Sequence, residues 1–112
     1  MKGTERAWLA GFFEGEGFLG HYGPYESPKL GISQIRRGML RKIAVDTGNA
    51  DLKIVCESVY SKNPVYRFQI QSWDRIYGFV KLIRPYMRHP DKIRVVDKFL
   101  RKYHKRNGLE KP

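Results

Sequence analysis

The run Ala7-Trp8-Leu9-Ala10-Gly11-Phe12-Phe13 carries no polar side chain, and the two acids of Glu14-Gly15-Glu16-Gly17 follow it directly. Successive helical residues are rotated by roughly 100°, so an apolar run of this length covers the whole circumference of a helix. A short helix of that kind must be buried all round, against its own domain and against something else. Thr4 is placed to cap its start, with Glu5 near the positive end. Gly15 and Gly17 are placed to end it. Ala10 and Gly11 are small enough for another backbone to come close. The acids admit two readings. Either they are solvated or bonded to nearby backbone, or they face a divalent cation. Mg²⁺ takes oxygen ligands and tolerates a single carboxylate completed by waters and phosphate oxygens. A helix C-terminus is a poor place for an acid on its own. The residues alone do not choose.

The rest of the chain reads as an alternation of hairpins and helices. Strands are predicted at 17–23 and 29–35 around the turn-rich segment Gly23-Pro24-Tyr25-Glu26-Ser27-Pro28. Leu30 and Ile32 alternate with Lys29, Gly31 and Ser33, the period of a sheet with one apolar face. A helix over 37–47 turns Met39, Leu40, Ile43 and Ala44 inward and is closed by Gly48. Strands at 52–60 and 65–71 form a second hairpin around Ser61-Lys62-Asn63-Pro64. In the latter, Tyr66, Phe68 and Ile70 alternate with Arg67, Gln69 and Gln71. Ser72 caps a third helix whose Ile76, Phe79, Val80 and Ile83 fall on one stripe. Pro90 and Asp91 open a fourth, with Val96, Phe99, Leu100 and Tyr103 inward. The expected class is α+β in the order αββαββα(α), a single domain over 1–106 with a flexible tail at 107–112.

Composition narrows the function. Twenty-two Lys and Arg face eleven Asp and Glu, a net charge of +11, so the expected partner is a polyanion, and nucleic acid is the commonest inside a cell. No apolar run reaches the length of a membrane span, and no secretory signal pattern is present, so an intracellular and membrane-free setting is expected. That setting is cytoplasmic, organellar or the interior of a phage-infected cell. A single cysteine, Cys56, excludes an intramolecular disulfide. His21, His89 and His104 lack metal-ligand spacing, and Trp8 and Trp73 are read as packing residues rather than base-stacking platforms.

The segment Leu9-Ala10-Gly11-Phe12-Phe13-Glu14-Gly15-Glu16-Gly17 resembles the LAGLIDADG motif of homing endonucleases. Ala10, Gly11, Gly15 and Gly17 match its small-residue positions; Phe12-Phe13 and the two Glu depart from it, since the family most often carries Asp at both acidic positions. The resemblance extends over nearly the whole chain through the order αββαββα plus a further helix. It implies the LAGLIDADG fold, with motif helices packed side by side and a curved antiparallel sheet in the DNA major groove. It implies that Glu16 binds a catalytic Mg²⁺, with Mn²⁺ able to substitute, aided by the carbonyl of Gly15, and that Glu14 is structural. One motif per chain implies a homodimer with Trp8, Ala10, Gly11 and Phe12 at its interface. That dimer would make a staggered, metal-assisted double-strand cut in a long, near-palindromic DNA target, in the service of intron or intein mobility.

By the same resemblance Gln34 orders active-site water, Arg36 or Arg37 supplies the basic residue just beyond it, and Lys92 is the catalytic basic residue, with Arg88 as the alternative. Outward alternation nominates Tyr22, Lys29, Ser33, Arg67, Gln69 and Gln71 for contact with bases, Arg67 and Gln69 above the rest because Arg pairs with guanine and Gln with adenine. Gly20 and Gly31 serve either close backbone approach or sheet bending. The competing expectation is a LAGLIDADG-derived DNA-binding regulator, or an RNA-splicing maturase, that has lost cleavage.

Overall fold

The structure is a computed structural model that describes residues 1–57, 62 and 64–108. Its elements are α1 (Gly3–Glu16), β1 (Gly17–Tyr22), β2 (Ser27–Gln34), α2 (Arg37–Asp46), β3 (Ile54–Cys56), β4 (Tyr66–Ile70), α3 (Trp73–Ile83), a 3₁₀ turn (Arg84–Tyr86) and α4 (Pro90–Arg106). The order is the expected αββαββαα. The four strands form an open antiparallel sheet in the order β1-β2-β4-β3. The two hairpins therefore meet through their second strands, with Ile32 beside Phe68 and Ser33 beside Arg67.

Period-two alternation sorts the strands into two faces. Leu19, Leu30, Ile32, Phe68 and Ile70 are buried beneath the helices. They join Leu9, Ala10 and Phe13 of α1, Leu40, Ile43 and Ala44 of α2, Ile76, Phe79, Val80 and Ile83 of α3, and Val96 and Phe99 of α4 in one core. Helices α2, α3 and α4 contribute the stripes their periodicity predicts, although Met39, Leu100 and Tyr103 are only half-buried at the rim, whereas α1, apolar all round, buries one face alone. Ser72 caps α3, its Oγ accepting from the Arg75 N–H at 3.3 Å. Gly48 lies just beyond α2 at φ 78°, where a side chain would be strained.

Several boundaries differ from expectation, among them β2, which spans Ser27–Gln34 rather than 29–35 and so takes in two residues of the expected turn. Helix α1 begins at Gly3 behind Lys2, so Thr4 is a residue of the first turn and not its cap. Glu5 accepts from the Lys2 backbone N–H at 3.4 Å instead. The helix also runs through Gly15 to Glu16, and only Gly17 ends it. Strand β3 spans Ile54–Cys56 rather than starting at 52; residues 58–61 and 63 of that hairpin, like 109–112 of the expected tail, lie outside the described residues.

Helix α1 is strapped to the end of α3 by Arg6, whose Nε donates to the Leu82 carbonyl at 2.8 Å and whose second terminal nitrogen donates to the Lys81 carbonyl at 3.2 Å. Those carbonyls have no partner within their own helix, so a long-range side chain satisfies them and fixes how α1 lies.

At the far end of β1, His21 packs against Trp73 and Phe99, and its Nε2 is buried without a hydrogen-bond partner among the described residues. Burial first, then the charges of Lys102 and Lys98, push its pKa below the ordinary 6.5 against a smaller opposing effect of Glu26. The folded state thus favours neutral imidazole, and the unfolded chain takes up the proton first as pH falls. Stability should be intact above about pH 6.5 and decline as pH drops below it. Denaturant titrations of wild type and His21→Phe between pH 5 and pH 8 test this. The variant should lack the His21-dependent part of the acid sensitivity, and identical pH profiles would count against it.

Candidate functional site

The chemistry-bearing residues gather where α1 ends and β1 begins. Phe13 is buried against Phe79, with ring centroids 6.0 Å apart. A Cβ on Gly17 would lie 2.3 Å from the Phe13 ring and 2.9 Å from its carbonyl oxygen. Glycine is required there by close packing rather than by dihedral angle, since Gly17 is extended at φ −99°. The chain can therefore leave the helix and enter the sheet without a gap, and the last turn of α1 opens at the end of the sheet.

Two links then bring α4 to this corner. The Glu14 carboxylate accepts from the backbone N–H of Arg88 at 2.9 Å and from that of His89, the residue that precedes α4. Free amides at a helix N-terminus favour an anion, so Glu14 ties the two helices together. Lys92, nearly a turn into α4, donates from Nζ to the Gly17 carbonyl at 2.5 Å and lies 5.9 Å from the Phe13 ring centroid. A cation is stabilised at the negative end of α1. Arg88 is exposed, and its recorded link to this corner runs through its backbone.

Glu16 is the last residue of α1 and is exposed, and its side chain has no hydrogen bond or ion pair among the described residues. Gly15 is exposed too, and its carbonyl belongs to the last turn, beyond the reach of helical hydrogen bonding. Gln34 ends β2 two residues past the Gly17–Ile32 pair, so it lies at the same end of the sheet. Its Oε1 accepts from the Ile35 N–H at 2.8 Å. Arg36 and Arg37 follow at the exposed start of α2. Among the described residues no three His, Cys, Asp or Glu side chains converge as a metal-binding group. With Glu14 engaged by the amides before α4, the corner offers the exposed Glu16 carboxylate and backbone oxygens, a donor set that fits Mg²⁺ only with waters and phosphate oxygens completing the shell.

The sheet face away from the helices carries Phe18, Gly20 and Tyr22 of β1, Lys29, Gly31 and Ser33 of β2, and Arg67 and Gln69 of β4. Gln71 follows β4 and is exposed. Aromatic rings fill the spaces over both glycines: a Cβ on Gly20 would lie 2.6 Å from the Tyr22 hydroxyl, and one on Gly31 would lie 2.5 Å from the Phe18 ring. The chain's own rings therefore occupy both sites. Lys29 and Arg67 lie over those same rings, at 5.2 Å from Tyr22 and 5.9 Å from Phe18.

Sequence reasoning missed three residues of this face. Glu57 accepts from Ser33 Oγ at 2.9 Å and from Arg67 Nε at 2.5 Å. The Ser33 hydroxyl first, with Arg67 helping, holds its carboxyl below the ordinary range despite partial burial. Continuing the alternation of Ile54 and Cys56 against Val55 would have placed Glu57 outward. Val55, 58% exposed beside Arg67, was legible in the same way. Phe18 had no such signal, because Gly-Phe-Leu-Gly-His-Tyr shows no clean apolar–polar alternation.

The surface of α1 away from the core corrects one expectation. Ala10 has no exposed surface and belongs to the chain's own core, so it cannot line an external seam. The exposed ridge consists of Trp8, Gly11, Gly15 and Glu16, with half-buried Phe12 stacked on Trp8 at 5.2 Å. A Cβ at Gly11 or Gly15 would meet nothing within 4 Å. Beside the ridge lies an apolar groove of about 410 Å³ bordered by Trp8, Leu9, Met39 and Ile43.

No protein-family model matches the sequence. No curated protein matches it either. Solved structures do match. A LAGLIDADG meganuclease bound to uncleaved DNA, I-AabMI, superposes with a TM-score of 0.71 at 20% identity, over 91% of this chain and 37% of its own. The archaeal intron-encoded homing endonuclease I-Vdi141I, complexed with DNA, gives 0.63 at 18% identity over 91% of this chain and 65% of its own. The homing endonuclease I-TnaI gives 0.67 at 18%, over 92% and 71%. The chain thus spans less than two thirds of the first two. These likenesses establish the fold, which is that of LAGLIDADG homing endonucleases. Among the described residues no helix is long and apolar enough to cross a membrane.

Proposed function

We propose that the chain is a LAGLIDADG homing endonuclease that cuts both strands of a near-palindromic DNA target as a homodimer. The observation that carries the reading is the bond from Lys92 Nζ to the Gly17 carbonyl, which brings a cationic side chain to the helix end that bears exposed Glu16. A structural lysine alone would not account for an acid left unpaired beside a basic face. Glu16 and the Gly15 carbonyl would hold Mg²⁺ or Mn²⁺, which would supply Lewis-acid stabilisation of charge developing at the scissile phosphate. Lys92 would present positive charge to the same phosphate, and Gln34 would orient the attacking water. Arg36 and Arg37 would clamp neighbouring phosphates, and the outer sheet face would contact base edges in the major groove.

Cleavage of DNA that carries the uninterrupted flanks of the gene, in the presence of Mg²⁺, tests the reading. Binding without cleavage would favour a regulator, and RNA binding in place of DNA would favour a splicing factor. Affinity should fall steeply with salt as phosphate counterions are released.

The dimer follows from the exposed ridge of α1. One chain offers a single acid, two strands need two sites, and two copies of the ridge packed about a two-fold axis would set the two Glu16 residues side by side. Gly11→Leu separates this from a purely monomeric role. In the isolated chain the substitution meets open space and improves helix propensity, so unfolding should show a gain of about 0.5–1 kcal/mol. In the dimer the larger side chain would hold the helices apart. Sedimentation should report a wild-type dimer and a stable monomeric variant; a wild-type monomer at working concentration, or a variant that still dimerises, would remove the shared-helix arrangement.

A further inference from the structure

An ionised carboxylate on the outer sheet face opposes what that face is proposed to do, because it repels DNA phosphates. Glu57 is held there by built contacts. Its Oε1 accepts from both Ser33 and Arg67, while its Oε2 has no partner among the described residues. The same contacts fix Arg67. Its Nε is engaged by Glu57, its guanidinium lies 5.9 Å from the Phe18 ring, and one terminal nitrogen donates to Gln69 Oε1 at 3.5 Å. The fork is thereby steadied at Nε by Glu57 and at one terminal nitrogen by Gln69, leaving its remaining terminal N–H groups without a partner among the described residues.

We propose that Glu57 and Arg67 form one reading unit for a G·C base pair in the major groove, an inference that rests on the DNA-binding reading above. The terminal guanidinium N–H groups not engaged by Gln69 match the N7 and O6 acceptors of guanine, and the free Glu57 oxygen matches the N4 amino donor of cytosine. A·T in either orientation cannot offer that combination of two acceptors and an amino donor. Adenine's amino group would meet the guanidinium, and thymine has no amino group for Glu57. Ser33 is a positioning residue, since it anchors the oxygen that Arg67 shares and leaves the other free.

Selection from a randomised DNA pool with wild type, Glu57→Gln and Arg67→Gln tests the unit, with thermal melting to verify that each exposed-site variant is folded. Wild type should select G·C at one position of each half-site. Both variants should lose about ten-fold or more discrimination at that position, leaving the other positions unchanged. Glu57→Gln should also bind unselected DNA more tightly, because a negative charge facing phosphates is gone. Sequence-selective binding with an unchanged Glu57→Gln profile would overturn the unit while leaving the DNA-binding reading in place. So would variant losses spread evenly over all positions, the mark of a brace. Failure of wild type to bind DNA would overturn both.

Discussion

Glu16→Gln should abolish DNA cleavage while DNA binding survives. The side chain keeps its size but loses its exposed carboxylate at the end of α1, and a neutral amide is a far weaker ligand for a hard divalent cation. A loss of at least a thousand-fold is expected, about 4 kcal/mol of transition-state stabilisation. Stability should not fall. The Glu16 side chain makes no hydrogen bond or ion pair among the described residues, and removing a negative charge from a helix C-terminus is neutral or favourable by a few tenths of a kcal/mol. Single-turnover cleavage with Mg²⁺, DNA binding by gel shift and thermal melting together read the three expectations. Cleavage at the wild-type rate would remove the metal assignment whatever the binding result.

Phe13→Ala should have the largest effect on stability. The ring is 1% exposed, touches Phe79 across the α1–α3 interface, lies close against Gly17 and sits below the Lys92 ammonium. Truncation removes buried apolar surface and leaves a cavity at a place walled by backbone, so a loss of about 3–5 kcal/mol is expected. A domain of this size commonly has only about 5–15 kcal/mol in hand. The same cavity would release the end of α1 and the lysine seated over it. Phe13→Leu, which keeps most of the volume, should cost much less and retain the Lys92 contact. Denaturant midpoints for both variants check this, and equal losses would show that packing volume at Phe13 is not what matters.

Much of the fold was legible because its signals are local. Alternation in Leu30–Ile32 and Tyr66–Ile70, the stripe Ile76-Phe79-Val80-Ile83, the Ser72 cap and Gly48 each depend on near neighbours in the chain, and each is found where the pattern placed it. Errors came where a distant contact outweighed the local preference. Thr4 is a good capping residue, yet α1 starts earlier, and the helix is held by Arg6 on the end of α3. Gly15 does not stop the helix, because Glu14 binds the backbone that precedes α4 and holds the last turn in place.

Within the candidate site the division is the same. Glu16, Gly15 and Gly17 adjoin one another in sequence, so the chain alone marked the helix end as a place for acid and oxygen chemistry. Lys92 comes to that end only because α4 folds back across seventy-five positions of sequence and donates to Gly17. Ser33 and Arg67 lie on β2 and β4 and Glu57 directly follows β3, so the three meet only because the hairpins join β2 to β4 and β4 to β3. Only the tertiary structure placed Ala10 inside the core and Gly11 on the open ridge. An apolar run all round a helix says that every face needs cover, and which face the chain covers itself depends on where the sheet and α3 lie. The sequence by itself determined the elements, the apolar helix and its acidic end, since these follow from short-range sterics and periodicity. Tertiary packing decided which cation reaches the acid and which arginine is paired, because those contacts depend on the positions of elements far apart in the chain.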